Sequence, residues 1–269
     1  MPVKGIDKEK CSNCQQCVFD CVATNFRLDE NNEVRFNQVG CIGCGHCISI
    51  CPEDAILYKG MRDEPITFEG VQDPSSIISY EMFQKFIRAK RSIRQYKKEK
   101  VPNELLEKVF NSMRYAPTGS NIRGLKCLII SNDERKKILS DAILDRIISS
   151  SMVPDAYARR LNSKKKRGLD PIFYDAPHIM IFHSASQMDL VNSAIAITYG
   201  MLSAQTLRLG TCWIGFAQGV LSANEEIRKN ILKIPGRIHG VFVLGYPSIK
   251  YARAAPRPKI RTKELKNES

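Results

Sequence analysis

Cys11-Ser12-Asn13-Cys14-Gln15-Gln16-Cys17-Val18-Phe19-Asp20-Cys21 and Cys41-Ile42-Gly43-Cys44-Gly45-His46-Cys47-Ile48-Ser49-Ile50-Cys51 carry one phrase twice, C-x2-C-x2-C-x3-C, offset by 30 residues. Eight of the ten cysteines fall in this phrase, and Pro52 follows its second copy. Soft thiolates at this spacing wrap [4Fe-4S] clusters, with the fourth cysteine of each run serving the other cluster. One cluster is therefore expected on Cys11, Cys14, Cys17 and Cys51, and the other on Cys41, Cys44, Cys47 and Cys21. Zinc on paired C-x2-C motifs is the competing reading, and it leaves the third and fourth cysteines of each run without a purpose. His46 sits inside the second run and reads as an exposed loop residue or a donor to the cluster, since the thiolates already fill the coordination. Gly43 and Gly45 let the backbone turn tightly around the second site.

Working outward, the cysteine block is expected to occupy residues 1–60, with a hairpin-like stretch (Phe26–Leu28 and Val34–Phe36) around Asp29–Asn32. So small a unit cannot bury much apolar surface, and the clusters would serve as its core. Residues 61–79, rich in Gly, Pro, Asp and Ser, read as a linker. Residues 80–269 mix helical periodicity with buried strands and point to a single α+β domain. Helices are expected around Met82–Ile87, Leu105–Met113 (entered at Pro102), Ile138–Ile147 and Asp189–Leu207. The last is small-residue-rich and apolar on several sides, which suits a central helix or one at a subunit interface. Strands are expected at Leu125–Ile130, His178–His183 and Val241–Leu244, and Ser222 with Glu225 reads as a capping box opening a further helix. Ser163–Gly168, with four consecutive basic residues, reads as a solvated loop.

The 43% hydrophobic and 26% charged fractions are those of an ordinary globular chain. No apolar run approaches the ~18–20 residues that span a bilayer, and the N-terminus has no apolar signal core, so a cytoplasmic protein with no membrane partner is expected. That compartment argues against disulfides. The formal charge of +13 falls to about +9 once two clusters, each near −2 with its thiolates, are counted. The remainder suits a small acidic electron carrier, such as a ferredoxin or flavodoxin, steered by the field. Nucleic acid is not expected, because the Lys164–Arg167 run is short, lacks interleaved aromatics and belongs to no base-reading motif.

Three polar constellations mark the second domain. Lys90-Arg91-Ser92-Ile93-Arg94 offers cations and a hydroxyl that match phosphate oxygens. Pro117-Thr118-Gly119-Ser120-Asn121-Ile122-Arg123 offers amide and backbone groups for the edge of a flat heterocycle. Arg257 and Lys259 lie near the chain end. No Ser-His-Asp arrangement or other side-chain nucleophile stands out, and Cys127 and Cys212 read as inert packing residues in apolar runs.

In their order and spacing, and with Gly210-Thr211-Cys212-Trp213-Ile214-Gly215, these motifs resemble the nitroreductase-like FMN-dependent family from about Tyr80 to Lys259. The cysteine block resembles a bacterial-type two-cluster ferredoxin, departing from it in Val22 after Cys21 and in the Gln15–Gln16 pair. The resemblance implies FMN phosphate and ribityl contacts at Lys90, Ser92 and Arg94, with Arg91 adjacent. It implies a contact to the flavin's pyrimidine edge at Asn121, closure on the phosphate by Arg257 and Lys259, and a backbone wall along Gly210–Gly215, with Trp213, Ile214 and Gly215 as its site residues. Where the family often has Gln, this chain has Arg123, whose fixed charge would stabilise an anionic reduced flavin or an acidic substrate. It also implies a homodimer with FMN sites built from both chains. The expected activity is an iron–sulfur flavoprotein oxidoreductase reducing a small organic acceptor, nitroaromatic- or quinone-like, with NAD(P)H as a further candidate donor. An electron-transfer module serving a protein partner, with no small-molecule substrate, is the alternative.

Overall fold

A computed structural model describes residues 2–61, 63–66, 74–150 and 153–264. The expected linker at 61–79 lies partly outside them, at 62 and 67–73. Contacts divide the chain into two compact units, and the division is not a simple cut: residues 1–77 and 117–124 form the first, residues 78–116 and 125–269 the second.

In the first unit, β1 (Val3–Ile6) pairs antiparallel with β4 (Ile56–Tyr58), and β2 (Phe26–Leu28) with β3 (Val34–Phe36). The short helices α1 (Gln16–Asp20) and α2 (His46–Ile50) carry the second half of each cysteine run. The 30-residue repeat of the sequence is also a repeat of backbone shape. Asn13 and Gly43 (φ 55° and 64°), Gln15 and Gly45 (63° and 82°), and Thr24 and Asp54 (50° and 49°) all take left-handed conformations. In the first two pairs, a non-glycine residue of the first copy holds the conformation that glycine holds in the second. The apolar core is small: Val3, Phe26, Val34, Cys47 and Ile56, with Cys17, Cys21, Cys41 and Cys51 packed against it. His46 opens α2 rather than lying in a loop, and its Nδ1 is 3.3 Å from Asp20 Oδ2.

The second unit is built on a four-stranded antiparallel sheet in the order β5 (Lys126–Ile130), β6 (His178–Ser184), β8 (Arg237–Gly245), β7 (Gly210–Trp213). Its helices are α3 (Tyr80–Ala89), α4 (Asn103–Met113), α5 (Asp133–Ser149), α6 (Asp155–Lys166), α7 (Asp189–Thr206) and α8 (Gly215–Ala223). Successive strand residues point to opposite faces, and both faces are covered. Ile179, Ile181, Val241 and Val243 meet α5 and α8 on one side. Met180, Phe182, Phe242 and Leu244 meet α4 and α7 on the other. The two-sided burial explains why β6 and β8 read as continuous apolar runs. A Cβ on Gly200 of α7 would stand 2.8 Å from Met113 of α4, so glycine sets the close approach of those helices. The expected central helix is thus found, and part of its small-residue character is used within the chain.

Three expectations are corrected. The basic run at 164–167 is not a loop: Lys164–Lys166 form the last turn of α6, where cations suit the helix's negative end, and Lys165 Nζ lies 3.0 Å from Asp141. Ser222 opens no helix. It lies in the last turn of α8 and its hydroxyl donates to Ile238 O (3.2 Å), while Asn224 accepts from Ile227 N (2.9 Å) to start a π-helical turn at Ile227–Leu232. The last strand begins at Arg237, not Val241.

His178, buried at the start of β6, accepts a hydrogen bond from Val101 N at Nε2 (2.9 Å), which fixes its proton on Nδ1, 2.7 Å from Ser131 Oγ. Burial, with Lys136 and Lys100 nearby, pushes its pKa down to about 4. A depressed histidine contributes stability that is full above ~6.5 and is lost as pH falls through ~4, because only the unfolded chain binds the proton in that window. Urea melts of His178→Gln should therefore show a shallower stability loss between pH 6.5 and 4 than the wild type, by a few kcal/mol at most; parallel curves would contradict this. Gln15→Gly should relieve a left-handed side chain and raise stability by up to about 1 kcal/mol, whereas Gly45→Gln should lower it by about as much or more. Far-UV circular dichroism of urea unfolding measures both.

Candidate electron-transfer and flavin site

The cysteines converge in two separate cavities of the first unit. Cys11, Cys14, Cys17 and Cys51 line one, with Ile6, Val34 and Ile56 as apolar walls. Cys21, Cys41, Cys44 and Cys47 line the other, with Val3 and Phe26. These are the crossed sets expected from the spacing. Backbone amides approach the crossing ligands in matching fashion: Asn25 N donates to Cys21 Sγ and Ala55 N to Cys51 Sγ, both at 3.3 Å. Burial, reinforced by neighbouring cysteines, pushes the Cys17 thiol up to about 11 and the Cys47 thiol up to about 12. Sulfurs so placed ionise together only around a positive centre. Among the described residues, no group of three or more His, Cys, Asp or Glu side chains is placed to hold a single metal ion. Donor chemistry and spacing both fit iron–sulfur clusters.

In the second unit the phosphate-like constellation gathers at the outer edge of β7. Ser92 bridges to Thr211 in parallel, and Ile93 N donates to Thr211 O (3.0 Å), which lays residues 92–93 along β7. Lys90, Ser92 and Arg94 all bear on Cys212: burial raises that thiol's pKa while Arg94, Ser92 and Lys90 pull it the other way. Burial pushes the Lys90 ammonium down, and Arg91 adds to this. The Arg94 guanidinium also lies over the Tyr174 ring, 5.9 Å from its centroid. Arg91 Nη2 donates to Ala255 O (3.3 Å), which brings the segment carrying exposed Arg257 and Lys259 to the same place. Thr211 Oγ1 is buried without a hydrogen-bond partner. The partly desolvated Lys90 with the Ser92 hydroxyl and the Arg94 guanidinium makes a cradle that an anion with several oxygens would satisfy, which fits a flavin's phosphate and ribityl chain. Trp213, Ile214 and Gly215 follow directly, and Trp213 Nε1 is held by Gln218 Oε1 (2.7 Å). Tyr174 joins this site without having been singled out for it in the sequence, whereas Thr211 and Cys212 lie in the Gly210–Gly215 stretch expected to line the flavin through its backbone.

Pro117–Arg123 belong to the first unit, where Asn121 Nδ2 donates to Ile42 O and Gly43 O, each at 2.8 Å, and Arg123 Nε donates to Asn121 Oδ1 (3.2 Å). Ser120 and Asn121 are both left-handed, and Thr118 Oγ1 is buried without a partner. Also in the second unit, a cleft of about 740 Å³ is lined by Lys126, His183, Gln218, Arg228, Arg237 and His239 among others. At its wall Ser184 Oγ lies 2.9 Å from His239 Nε2, close to Asp189, a cluster not foreseen from the sequence. With Ser184 4% and His239 3% exposed, the hydroxyl is closed to a substrate, and the cluster is a buried polar network.

Residues 10–56 match a 4Fe-4S dicluster domain, and residues 87–246 match the nitroreductase family. Among solved structures, a nitroreductase with bound FMN from Bacteroides fragilis aligns with TM-score 0.56 at 22% identity, covering 67% of this chain and 98% of that one. A nitroreductase with bound FMN from Desulfitobacterium hafniense aligns with TM-score 0.57 at 19% identity, covering 67% and 97%. At these identities the likeness is one of fold. The pyruvate synthase subunit PorD of Methanocaldococcus jannaschii is 35% identical over 51 residues, 19% of this chain and 59% of that protein. Curated relatives are matched over only part of their length, from 9% to 59%. No helix among the described residues is long and apolar enough to cross a membrane. The α+β fold, the edge cradle on β7 and a family match across more than half the sequence lead to one conclusion: the chain belongs to the nitroreductase family and carries an N-terminal 4Fe-4S dicluster segment.

Proposed function

We propose that the protein is an FMN-dependent oxidoreductase in which two [4Fe-4S] clusters exchange single electrons with the flavin, and that it reduces a small organic acceptor of nitroaromatic or quinone type. The observation that carries this reading is the pair of four-cysteine cavities in a chain that also bears the β7 cradle. Bound FMN supplies the exchange between one-electron and two-electron chemistry. The chain's own residues do the rest. Lys90, Ser92 and Arg94 hold the phosphate and ribityl oxygens, and Arg91 keeps the segment of Arg257 and Lys259 close by. Trp213, Ile214 and Gly215 form the wall beside the ring. The side chains of the second unit position the cofactor and exclude water; among the described residues none is placed as a nucleophile.

The charge of +13 supports an acidic electron carrier as donor. A homodimer is supported by apolar side chains left open on two helices: Tyr80, Met82 and Phe83 on α3, and Leu190, Val191 and Tyr199 on α7.

Anaerobic purification should give about eight iron and eight sulfide per chain, from two clusters of four each, and one FMN. Zinc in their place, or no flavin, would overturn the proposal. Lys90→Ala and Arg94→Ala should each weaken FMN binding roughly 10- to 100-fold, as expected for a lost charged hydrogen bond, and leave the iron content unchanged. Cys51→Ser should remove the same electron paramagnetic resonance signal as Cys11→Ser, and Cys21→Ser the signal that Cys41→Ser removes. Pairing of Cys21 with Cys11 instead would refute the crossed assignment.

A further inference from the structure

The two ligand loops share one backbone shape and are pinned by different means. In the first loop, Asn13 takes the left-handed conformation and anchors the loop with its own side chain. Its Nδ2 donates to Asn32 O (2.7 Å) and its Oδ1 accepts from Val34 N (2.9 Å). The equivalent position in the second loop is Gly43, which has no side chain to do this. Nor could it be given one cheaply, since a Cβ there would stand 2.9 Å from the Pro2 ring. The missing anchor is supplied by Asn121, 78 residues along the chain, whose amide donates to the carbonyls of Ile42 and Gly43.

Both bonds fall between the ligands Cys41 and Cys44. The peptide unit is planar and trans, so holding these two carbonyls also fixes the opposed N–H groups of Gly43 and Cys44. Amide dipoles around the sulfurs help set the potential of a cluster. The bonding capacity of Asn121 supports the same assignment. Its NH2 has two donors, and both are engaged; its Oδ1 accepts from Arg123, leaving one lone pair for anything else.

Resting on the reading of the first unit as a two-cluster carrier, we propose that Asn121 is a positioning residue for the second ligand loop, fixing its peptide planes and with them the potential of the cluster on Cys41, Cys44, Cys47 and Cys21. This is a role different from the flavin contact that the resemblance implies.

Asn121→Gly tests it while keeping a residue at ease at φ 53°, and Asn121→Ser is a milder companion. Wild type and variants are compared by iron and sulfide content, FMN affinity and redox titration followed by electron paramagnetic resonance. The expected result is a more negative potential for the second cluster alone, on the order of a tenfold change in its reduction equilibrium, or about 59 mV for one electron. The first cluster, pinned by Asn13, should titrate as in the wild type. Selective loss of the second cluster's signal in Asn121→Gly, with a shifted potential in Asn121→Ser, supports the same role. Unchanged potentials at full iron content would overturn it, and weakened FMN binding with unchanged potentials would return Asn121 to the flavin. A wild-type protein without about eight irons would instead refute the underlying cluster reading.

Discussion

Eight sulfurs are gathered in a unit with few buried apolar residues, and for Cys17 and Cys47 burial and the neighbouring sulfurs make ionisation harder. This constraint shapes the whole first unit. On the proposed reading, the sulfurs come together as thiolates only around a positive centre, which makes folding and cluster assembly one event there. The left-handed residues, the short helices and the matched amide bonds to Cys21 and Cys51 all serve to hold four sulfurs at cluster spacing. The second unit has no such dependence. Its sheet is buried on both faces by apolar helices and carries its own stability.

What the sequence disclosed follows the range of the interactions involved. The cysteine spacing is local, and it grouped the same four cysteines that line each of the two cavities. The apolar runs of β6 and β8 and the periodicity of α4, α5 and α7 were legible for the same reason. Helix α6 was hidden because it buries only Leu161, leaving its lysines and arginines to read as a loop. The Ser222–Glu225 pattern misled because a hydroxyl suited to capping found a tertiary partner, Ile238 O, instead. The gathering of Lys90, Ser92 and Arg94 around Cys212 depends on a strand bridge across more than a hundred residues, which motif spacing implied only through family resemblance.

Asn121 marks the boundary of that legibility. Its neighbours in sequence suggest a loop that reads a heterocycle, yet its amide is engaged with the ligand loop of the second cysteine run. No local pattern announces this bond. It becomes intelligible only once Asn13 and Gly43 are seen to occupy equivalent places in a repeat, one with an anchor and one without.

The central claim is that clusters and flavin exchange electrons within one protein. The most direct measurement mixes the fully reduced protein, anaerobically, with a limiting two-electron acceptor such as a quinone, and follows the recovery of cluster absorbance by stopped flow. The account predicts recovery at a rate independent of protein concentration, abolished when FMN is removed. Clusters that stay reduced while the acceptor is consumed, or a rate proportional to protein concentration, would contradict it.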